Sequence, residues 1–303
     1  MRFVDAHAHL LPAKRLASLL RWVERRQPRH PYPESTPLDH LLREYQELGV
    51  ELVFNMIYPI FERTTEELNR FNFELARSRA PRILAVGSLH VSDADKLAIV
   101  DTCMQTYGFL GLKFHPFIQR FLPWDERLFP VYERMSELRR PVFLHTGFEK
   151  FYDAELPIEK LEREILQRFP ELPLVFLHAL FPHFDEAFRL VESYPHLYLD
   201  LANVYGSLVA PPSPGLHGEP QPAAPRRKLE RAAERLFQGL EVWHHRVLFG
   251  TDHPAGTGTL RQIYASALAM PISEAAKESI FGGAALALVE KYYGASGPAG
   301  AGE

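Results

Sequence analysis

The sequence predicts a single-domain α/β fold of the (β/α)8 barrel class, also called the TIM barrel. Two observations predict it: eight short apolar runs alternate with amphipathic helical stretches, and the length of 303 residues suits one closed barrel. A strand that is followed by a helix before the next strand implies a parallel sheet, and eight such units can close on themselves. A doubly wound open sheet is the main structural alternative.

The predicted strands are short runs rich in leucine, β-branched and aromatic residues, and they are bounded by polar or turn-forming residues. In chain order they are Arg2–His7, Glu51–Ile57, Arg82–Leu89, Phe109–His115, Pro141–Thr146, Leu174–Ala179, Leu197–Ala202 and Arg246–Thr251.

The predicted helices carry apolar residues at the spacing of one helix face. One has a start signal in Ser35-Thr36-Pro37, where a hydroxyl group can cap the free amides and proline suits the first turn. In chain order the helices are Ala13–Arg26, Leu38–Leu48, Glu66–Arg79, Ala94–Thr106, Asp125–Arg139, Ile158–Phe169, Phe184–Ser193 and Arg226–Leu240.

Two segments interrupt or follow this alternation. Ser207–Pro225 is rich in proline and is predicted to be neither helix nor strand. It follows the seventh strand, on the face of a barrel where catalytic loops lie, so it is either a lid or a solvated loop without a role. Residues 294–303 have the composition of a disordered tail, and we therefore expect one catalytic domain over residues 1–293.

Charge and composition narrow the classes of partner. The formal net charge is −4 and the basic residues are scattered, which is not typical of nucleic-acid-binding proteins or of a polybasic membrane patch. No apolar run is long enough to span a bilayer. The single Cys103 excludes an intramolecular disulfide, and the N-terminus lacks a secretion-signal pattern. We expect a cytoplasmic protein that acts on a small molecule, and the sequence leaves a homo-oligomer open.

Polar side chains alternate with alanine in the first strand, which reads VDAHAHL from Val4 to Leu10. Successive side chains of a strand point to opposite faces, so Asp5, His7 and His9 are predicted to share one face. Two imidazoles at this spacing can converge on one metal ion. A His-x-His pair alone is more often accidental, and the rest of the chain has to decide.

Three further strands end in residues with metal-binding side chains. His145 ends strand five in PVFLHTG, His178 ends strand six in LVFLHAL, and Asp252 follows strand eight in RVLFGTDHP. The C-terminal ends of the strands meet at the mouth of a barrel, where active sites are built. Together with His7 and His9, these residues predict a metal site that suits zinc, while manganese, iron or cobalt also fit.

Strand four adds candidates in GLKFHP. Lys113 ends an apolar run, and His115 would face the same way if the strand continued. Lys113 either reaches the rim or pairs with a carboxylate as an ordinary lysine, contacts an anionic substrate, or carries a carbamate that bridges two metals. Only in the last case is a second metal expected. Aromatic residues in the loops after the strands favour an apolar pocket, with Arg120, Arg63 or Lys150 available for a substrate carboxylate.

Several motifs stand in order along the chain: DAHAH, GLKFHP, FLHTG, FLHAL, YLDLA and VLFGTDHP, followed by ISEAAKESIFGGAALALV. This set resembles the amidohydrolase superfamily, and specifically its amidohydrolase-related (amidohydrolase 2) branch of metal-dependent hydrolases and decarboxylases. The resemblance covers nearly the whole chain. It implies that His7, His9, His145 and Asp252 hold one divalent metal and that His178 acts beside it.

The sequence is therefore interpreted as that of a metal-dependent hydrolase, in which metal-activated water attacks an amide, lactone or ester of a small, aromatic or carboxylated substrate. Asp252 suits the role of proton acceptor, and His178 that of a group that polarises the carbonyl or positions the water. Asp5 either orients a ligating imidazole through its second nitrogen or accepts backbone amides. The alternatives are a non-oxidative decarboxylase of a small unsaturated or aromatic acid, and a non-catalytic metal-binding barrel.

Overall fold

The computed structural model describes residues 1–27, 30–77, 80–209 and 226–294, and at its centre is an eight-stranded parallel sheet. Each strand pairs with its neighbour in the sequence, in the order β1 to β8. The (β/α)8 fold that the alternation of strands and helices predicts is confirmed. The strands are β1 (Val4–Ala8), β2 (Leu52–Met56), β3 (Arg82–Gly87), β4 (Gly111–Phe114), β5 (Val142–His145), β6 (Leu174–Leu177), β7 (Leu197–Asp200) and β8 (Val247–Leu248).

Hydrogen bonds between the first strand and the segment around β8 nearly close the sheet into a barrel. The amide of Ala6 donates to the carbonyl of Phe249 at 2.8 Å, and the amide of His9 donates to the carbonyl of His253 at 2.7 Å. The amide of Asp252 donates to the carbonyl of His7 at 2.8 Å. The first strand and the last strand are therefore neighbours, and the polar residues at the C-terminal ends of β1 and β8 lie close together.

Two predicted helices, Ala94–Thr106 and Ile158–Phe169, are α-helical only in their first part and continue as π-helical turns over Thr102–Thr106 and Glu162–Leu166. In the described ranges no helix combines the length and the apolarity needed to cross a bilayer. The α-helices are α1 (Ala13–Glu24), α2 (Leu38–Leu48), α3 (Thr65–Ala76), α4 (Lys96–Asp101), α5 (Pro116–Gln119), α6 (Phe129–Glu137), α7 (Ile158–Leu161), α8 (Phe184–Ser193), α9 (Val204–Val209), α10 (Arg226–Trp243), α11 (Leu260–Leu268), α12 (Glu274–Glu278) and α13 (Ala284–Tyr292).

The start of α2 differs from the prediction. The helix begins at Leu38, directly after Pro37, whose backbone is extended with φ −81° and ψ 153°. No side chain caps this helix, so neither Ser35 nor Thr36 has the predicted capping role. Pro37 is thus the residue before the first turn rather than part of it.

The proline-rich segment also differs from the prediction at its start. Residues 207–209 belong to α9, because Val204 and Leu208 lie one helical turn apart and are both buried against the core. The rest of the segment, 210–225, lies outside the described residues, and so does the predicted tail after residue 294. The predictions of a lid or loop and of a disordered tail therefore stay predictions.

The apolar core has two parts, one inside the barrel and one between the strands and the helices. Inside the barrel, Val4, Phe54 and Phe143 pack with Ala284 and Leu288 of α13. Along β5 and β7 the interior positions change from apolar to polar toward the C-terminal end: Phe143 is followed by His145, and Tyr198 by Asp200. The C-terminal rim is therefore where buried polar side chains collect.

Candidate metal centre and active-site cavity

Five predicted site residues, which we call the rim cluster, meet at the C-terminal rim of the barrel. They are His7, His9, His145, His178 and Asp252. The ring centroids of His7 lie 5.1 Å from those of both His9 and His178, and those of His145 and His178 are 4.4 Å apart. The Oδ1 atom of Asp252 lies 3.0 Å from Nε2 of His9. All four histidines are buried. The structure therefore brings together side chains from β1, β5, β6 and β8.

Unusual backbone conformations position parts of this cluster. His178 and Asp252 both have left-handed backbones, with φ 61° and 59°, where each follows its strand. Such a conformation costs about 1–2 kcal/mol for a residue with a side chain. A Cβ atom at Gly250 would lie 2.4 Å from Oδ2 of Asp200 and 2.5 Å from Cβ of His7. Glycine is thus required there for the close approach of the chain to these two side chains.

A β-bulge in β1 separates Asp5 from the two histidines that follow it. Asp5 pairs with Val53 and Ala8 with Asn55, so β1 contains one residue more than β2 between these pairs. One extra residue reverses the face to which the following side chains point. The prediction that Asp5 shares a face with the histidines is therefore wrong: the histidines point into the barrel and Asp5 points toward α2.

The contacts of Asp5 agree with this orientation. Its carboxylate accepts hydrogen bonds from the hydroxyl of Tyr45 on α2 at 2.6 Å, from the amide of Thr251 at 3.0 Å and from the amide of His7 at 3.1 Å. Burial raises the pKa of Asp5 to about 6, while these hydrogen bonds act against burial. Asp5 therefore contacts the backbone of His7 and not its ring, and it fixes the β1 end to the segment after β8.

Asp200, at the end of β7, has the role that the sequence proposed for Asp5. Its Oδ1 atom lies 3.1 Å from Nδ1 of His7 and also accepts the amides of His178 and Ala202 at 3.1 Å. A carboxylate can only accept, so the hydrogen-bond network places the ring proton of His7 on Nδ1. Burial lowers the pKa of His7 well below its ordinary value, and the ring is neutral. Its Nε2 lone pair is therefore free.

His9 is oriented in the same way by a backbone carbonyl. Its Nδ1 atom lies 2.7 Å from the carbonyl oxygen of Met56 at the end of β2, so that Nδ1 carries the proton. Its Nε2 atom faces Oδ1 of Asp252 at 3.0 Å. A hydrogen atom on Nε2 makes this contact a hydrogen bond to the carboxylate, and a divalent ion bound by both atoms would take the place of that hydrogen atom.

A relay of hydrogen bonds fixes the ring protons of His178 and His145. Nδ1 of His178 donates to the carbonyl of Ala202 at 2.7 Å, so its Nε2 atom accepts, at 3.1 Å, from Nδ1 of His145. Burial lowers the pKa of His178 to about 4 and that of His145 well below its ordinary value, so both rings are neutral. Nε2 of His145 is left as a lone pair, buried and with no hydrogen-bond partner in the described ranges.

These assignments leave Nε2 lone pairs on His7 and His145, while Nε2 of His9 faces the carboxylate of Asp252. Metal-ligating histidines characteristically donate their other ring N–H to a carboxylate or a carbonyl, as His7 and His9 do. The donor atoms of His7, His9 and Asp252 lie within 4.8 Å of one another, and those of His7, His178 and Asp200 form a second such group. The chemistry and spacing of His7, His9 and Asp252 fit a divalent metal ion. His145 belongs to neither group, so its part as a fourth ligand stays a prediction.

The carboxylate of Asp252 is held from two sides. Oδ1 lies 3.0 Å from His9 and 3.7 Å from Nε2 of His7, while Oδ2 accepts a hydrogen bond from Nδ2 of Asn203 at 2.5 Å. Burial alone would raise the pKa of Asp252, but the contact with His9 and the neighbouring imidazoles lower it well below its usual range. Asp252 is therefore ionised at neutral pH.

Lys113 is completely buried in the barrel, which excludes the interpretation that it reaches the rim as an ordinary surface lysine. Its Nζ atom makes no hydrogen bond to any described residue. Burial lowers the pKa of Lys113 to about 7, although the charges of Asp252 and Asp200 act in the opposite direction. Few lysines are buried with a lowered pKa, and those that are cluster at functional sites. Lys113 is therefore a candidate for a chemical role next to the rim cluster.

The two remaining candidates lie on the cavity wall. His115 is buried, and its ring stacks on that of His145 with a centroid distance of 3.7 Å. Arg120 is exposed, ends α5 with a left-handed backbone (φ 57°) and lines the cavity. Arg63 is exposed and is not among the residues that line the cavity, and the side chain of Lys150 is outside the described part of the structure.

A cavity of about 1080 Å³ opens onto the rim cluster, at the upper end of the range for small-molecule sites. Its wall includes eight aromatic residues, as the loop composition predicts, and it carries more arginine than carboxylate. The aromatic residues are Trp22, Tyr58, Phe61, Phe117, Phe148, Phe151, Tyr152 and Phe181, and the arginines are Arg15, Arg26, Arg120 and Arg127.

Sequence reasoning missed Asp200 and Asn203 as site residues. Asp200 ends the apolar run of β7 just as His145 ends β5, so the same strand-end rule could have found it. Asn203 had no comparable signal, because its contact with Asp252 depends on a left-handed residue (φ 60°) after β7. It also missed Arg15 as a cavity residue, since α1 was read only as part of the outer helical layer.

Comparison with known proteins places this geometry in context. The family model described as amidohydrolase matches residues 4–291. No protein of curated function matches the sequence. An uncharacterised TIM-barrel protein from Bordetella bronchiseptica has a similar structure, with a TM-score of 0.69 and 20% identity, over 96% of this chain and 99% of that chain.

Two similar structures are enzymes. A dihydroxybenzoic acid decarboxylase from Polaromonas, solved with manganese and the inhibitor 2-nitroresorcinol, has a TM-score of 0.66 and 16% identity, over 95% of this chain and 97% of that chain. A 4-oxalomesaconate hydratase from Rhodopseudomonas palustris has a TM-score of 0.60 and 17% identity, over 96% and 95%. At these identities the likeness shows the shared barrel fold.

Proposed function

The chain belongs to the amidohydrolase family, and we propose that it is a metal-dependent hydrolase that acts on an amide, lactone or ester of a small aromatic or carboxylated molecule. The observation that carries this proposal is the set of Nε2 atoms of His7, His9 and His145 beside the carboxylate of Asp252. These four residues would hold one divalent ion.

A divalent ion bound there supplies two effects, a lower pKa for water and polarisation of a carbonyl oxygen. The chain's own residues handle the proton. Asp252 is ionised and partly buried, and it is placed to accept the proton of the attacking water and to return it to the leaving group. Asn203 holds Oδ2 of this carboxylate in position.

His178 acts on the substrate rather than on the ion in this proposal. Its Nδ1 proton is committed to the carbonyl of Ala202, and the ring contacts both His7 and His145. The side chain lines the cavity, and its Nε2 atom is an acceptor, so it can accept a hydrogen bond from a water molecule in place of Nδ1 of His145 and orient that water.

Non-oxidative decarboxylation is the second candidate function. It is favoured by the structural likeness to a dihydroxybenzoic acid decarboxylase, which was solved with manganese. In this case the same four residues would bind the ion, and Asp252 or His178 would handle the proton, drawn from water, that replaces the lost carboxylate on the ring carbon. Zinc suits three nitrogen ligands and one carboxylate, while manganese, iron and cobalt also fit the site.

Lys113 bears on the number of ions. If it carries a carbamate, formed by addition of carbon dioxide to its neutral amine with loss of a proton, the new carboxylate would provide a ligand for a second metal. Its complete burial beside Asp252 and Asp200, and its unpartnered Nζ within the described residues, support this reading. Native mass spectrometry of the purified protein, with and without bicarbonate, detects the added carbon dioxide.

The function is tested with metal analysis and two product assays. We expect one divalent ion per chain, or two if Lys113 is carbamylated, and metal-dependent hydrolysis within a panel of aromatic lactones, esters and amides. Carbon dioxide release from aromatic acids without hydrolysis of the panel would select the decarboxylase instead. Full activity after complete metal removal would contradict both.

The expected partner is a small molecule.

We also propose a reducing, cytoplasmic location, as the single Cys103 suggests. Its thiol is buried, and burial raises its pKa to about 12, so it is protonated and not nucleophilic. Native mass spectrometry of the purified chain would also give its oligomeric state.

A further inference from the structure

Arg15 and Tyr58 form one part of the cavity wall, next to the rim cluster. Arg15 lies on α1, and Tyr58 follows β2; both line the cavity. The ring of Tyr58 stands edge-on to that of His9, with centroids 5.7 Å apart, and lies 5.0 Å from that of His115. Tyr58 therefore connects this part of the wall to the rim cluster, through its contact with His9.

Arg15 is a half-buried guanidinium without a carboxylate partner in the described ranges. One of its Nη atoms donates to Oγ1 of Thr64 at 3.1 Å, which fixes the side chain. Glu67 is the nearest carboxylate that acts on it, but Glu67 is exposed and forms no ion pair with it. Burial lowers the pKa of Arg15, yet an arginine stays charged in proteins. An anion in the cavity would complete its interactions.

The hydroxyl group of Tyr58 also lacks a partner, since it makes no hydrogen bond with any part of the chain that is described. A phenol hydroxyl can donate to a carboxylate. Thr64, which accepts from Arg15, lies with Tyr58 in the segment between β2 and α3, so Arg15 packs against the segment that carries the phenol. A guanidinium and a phenol that face one cavity are a matched pair of donors for a carboxylate.

The surrounding wall suits a flat apolar body next to that carboxylate. Trp22 lies on the same helix as Arg15, two turns further on, and its ring contacts that of Phe151 at 5.8 Å. The rings of Phe117 and Tyr152 stack at 5.3 Å and also line the cavity. Aromatic surfaces of this kind hold planar ligands by stacking and by exclusion of water.

We propose that Arg15 and Tyr58 form a subsite for a carboxylate group of the substrate, distinct from the four metal-binding residues. The substrate class is then an aromatic or similarly flat molecule with a carboxylate at one end and the reactive bond at the other. This inference rests on the proposed function and sharpens it: a carboxylate held at Arg15 is not the group that the metal acts on, so the substrate carries that carboxylate in addition to its reactive bond.

The test is the affinity of the metal-loaded protein for 2-naphthoate and for the neutral ketone 2-acetylnaphthalene, which has no hydrolysable bond, measured by isothermal titration calorimetry. Wild type should bind naphthoate more tightly than the ketone. In Arg15→Met the affinity for naphthoate should fall at least tenfold, equivalent to about 1.4 kcal/mol, while that for the ketone changes less than twofold. Arg15→Lys should lose less, because it keeps the charge.

Arg63→Met is the matched control, since it removes one positive charge next to Thr64 but outside the cavity; it should leave both affinities unchanged. The subsite is contradicted if wild type does not prefer naphthoate, if both ligands weaken equally in Arg15→Met, or if Arg63→Met has the same effect. It is also contradicted if naphthoate binding is lost on removal of the metal but kept in Arg15→Met, because the carboxylate then binds the metal. A protein that shows the Arg15 effect but hydrolyses nothing would retain the subsite and refute the proposed function.

Discussion

The two ends of the barrel interior differ in what their buried side chains do. Toward the N-terminal end, Val4, Phe54 and Phe143 pack with α13 in an apolar cluster. At the C-terminal rim, equally buried positions hold imidazoles, carboxylates and an amine, several with no hydrogen-bond partner among the described residues. Burial of an unpaired polar group costs free energy, whereas burial of apolar surface stabilises the fold. The N-terminal end of the barrel interior therefore stabilises the fold, whereas we expect the C-terminal rim to serve ligand binding and catalysis.

The same strands contribute side chains to both ends of the barrel interior. A substitution at the apolar end therefore tests stability, and a substitution at the polar rim tests function. Unpartnered buried polar atoms are expected where a ligand completes them. Changes at the rim should therefore alter metal binding and turnover with little loss of stability, and changes in the apolar half should do the reverse.

The largest effect is expected for Asp252→Asn. The substitution keeps the size of the side chain but removes the charge that completes the metal site and accepts the proton, so turnover should fall by about 10²- to 10⁴-fold. The unfolding midpoint should stay close to that of wild type. Steady-state kinetics measures the loss, and Asp101→Asn, which changes an exposed carboxylate on α4, is the control that should keep full turnover. Retained turnover in Asp252→Asn would remove its role as the base.

A smaller effect is expected for Asp200→Asn. The amide oxygen can still accept from His7 and from the amides of His178 and Ala202, but the negative charge that favours the ring proton on Nδ1 is lost. The affinity for the divalent ion should fall about 10- to 100-fold. Competition with a metal-sensitive chelator measures this affinity. If the affinity is unchanged, Asp200 does not orient a metal ligand.

The smallest effect on the site is expected for Phe54→Leu in the apolar half. Phe54 is completely buried and its ring contacts that of Phe143 at 6.2 Å. The smaller side chain should lower the free energy of unfolding by about 1–2 kcal/mol, measured by urea titration. Metal content and turnover should stay within twofold of wild type. A loss of metal without a loss of stability would show that the two halves do not separate as described.

Much of the fold could be predicted because strand and helix patterns are local. Continuous apolar runs marked all eight strands, and the predictions erred mainly at their ends, where β8 is only Val247–Leu248 against a predicted Arg246–Thr251. At those ends the backbone leaves the strand conformation, and the polar side chains that follow lie at the rim. The wide turns inside Ala94–Thr106 and Ile158–Phe169 could not be foreseen, because packing against the barrel, and not propensity, decides them.

The site was predictable in its residues but not in its orientation. His145, His178 and Asp252 follow apolar strands, which is a signal that any parallel barrel provides. The sequence VDAHAHL contains no signal for the bulge that turns Asp5 away from His7. Read alone, the strand predicts strict alternation of faces, and only its pairing with β2 shows the extra residue. Arg15 lies on α1 and Tyr58 follows β2, and only the folded chain shows that both line one cavity.

The central claim, that the Nε2 atoms of three histidines and the carboxylate of Asp252 form one metal site, is tested most directly by anomalous diffraction from crystals of the zinc-loaded protein. We expect a single strong peak about 2.0–2.2 Å from Nε2 of His7, His9 and His145 and from a carboxylate oxygen of Asp252. A second peak near Lys113 would indicate the carbamate. An anomalous peak that is elsewhere, that is bound through Nδ1 atoms, or that is absent at saturating zinc would contradict the account.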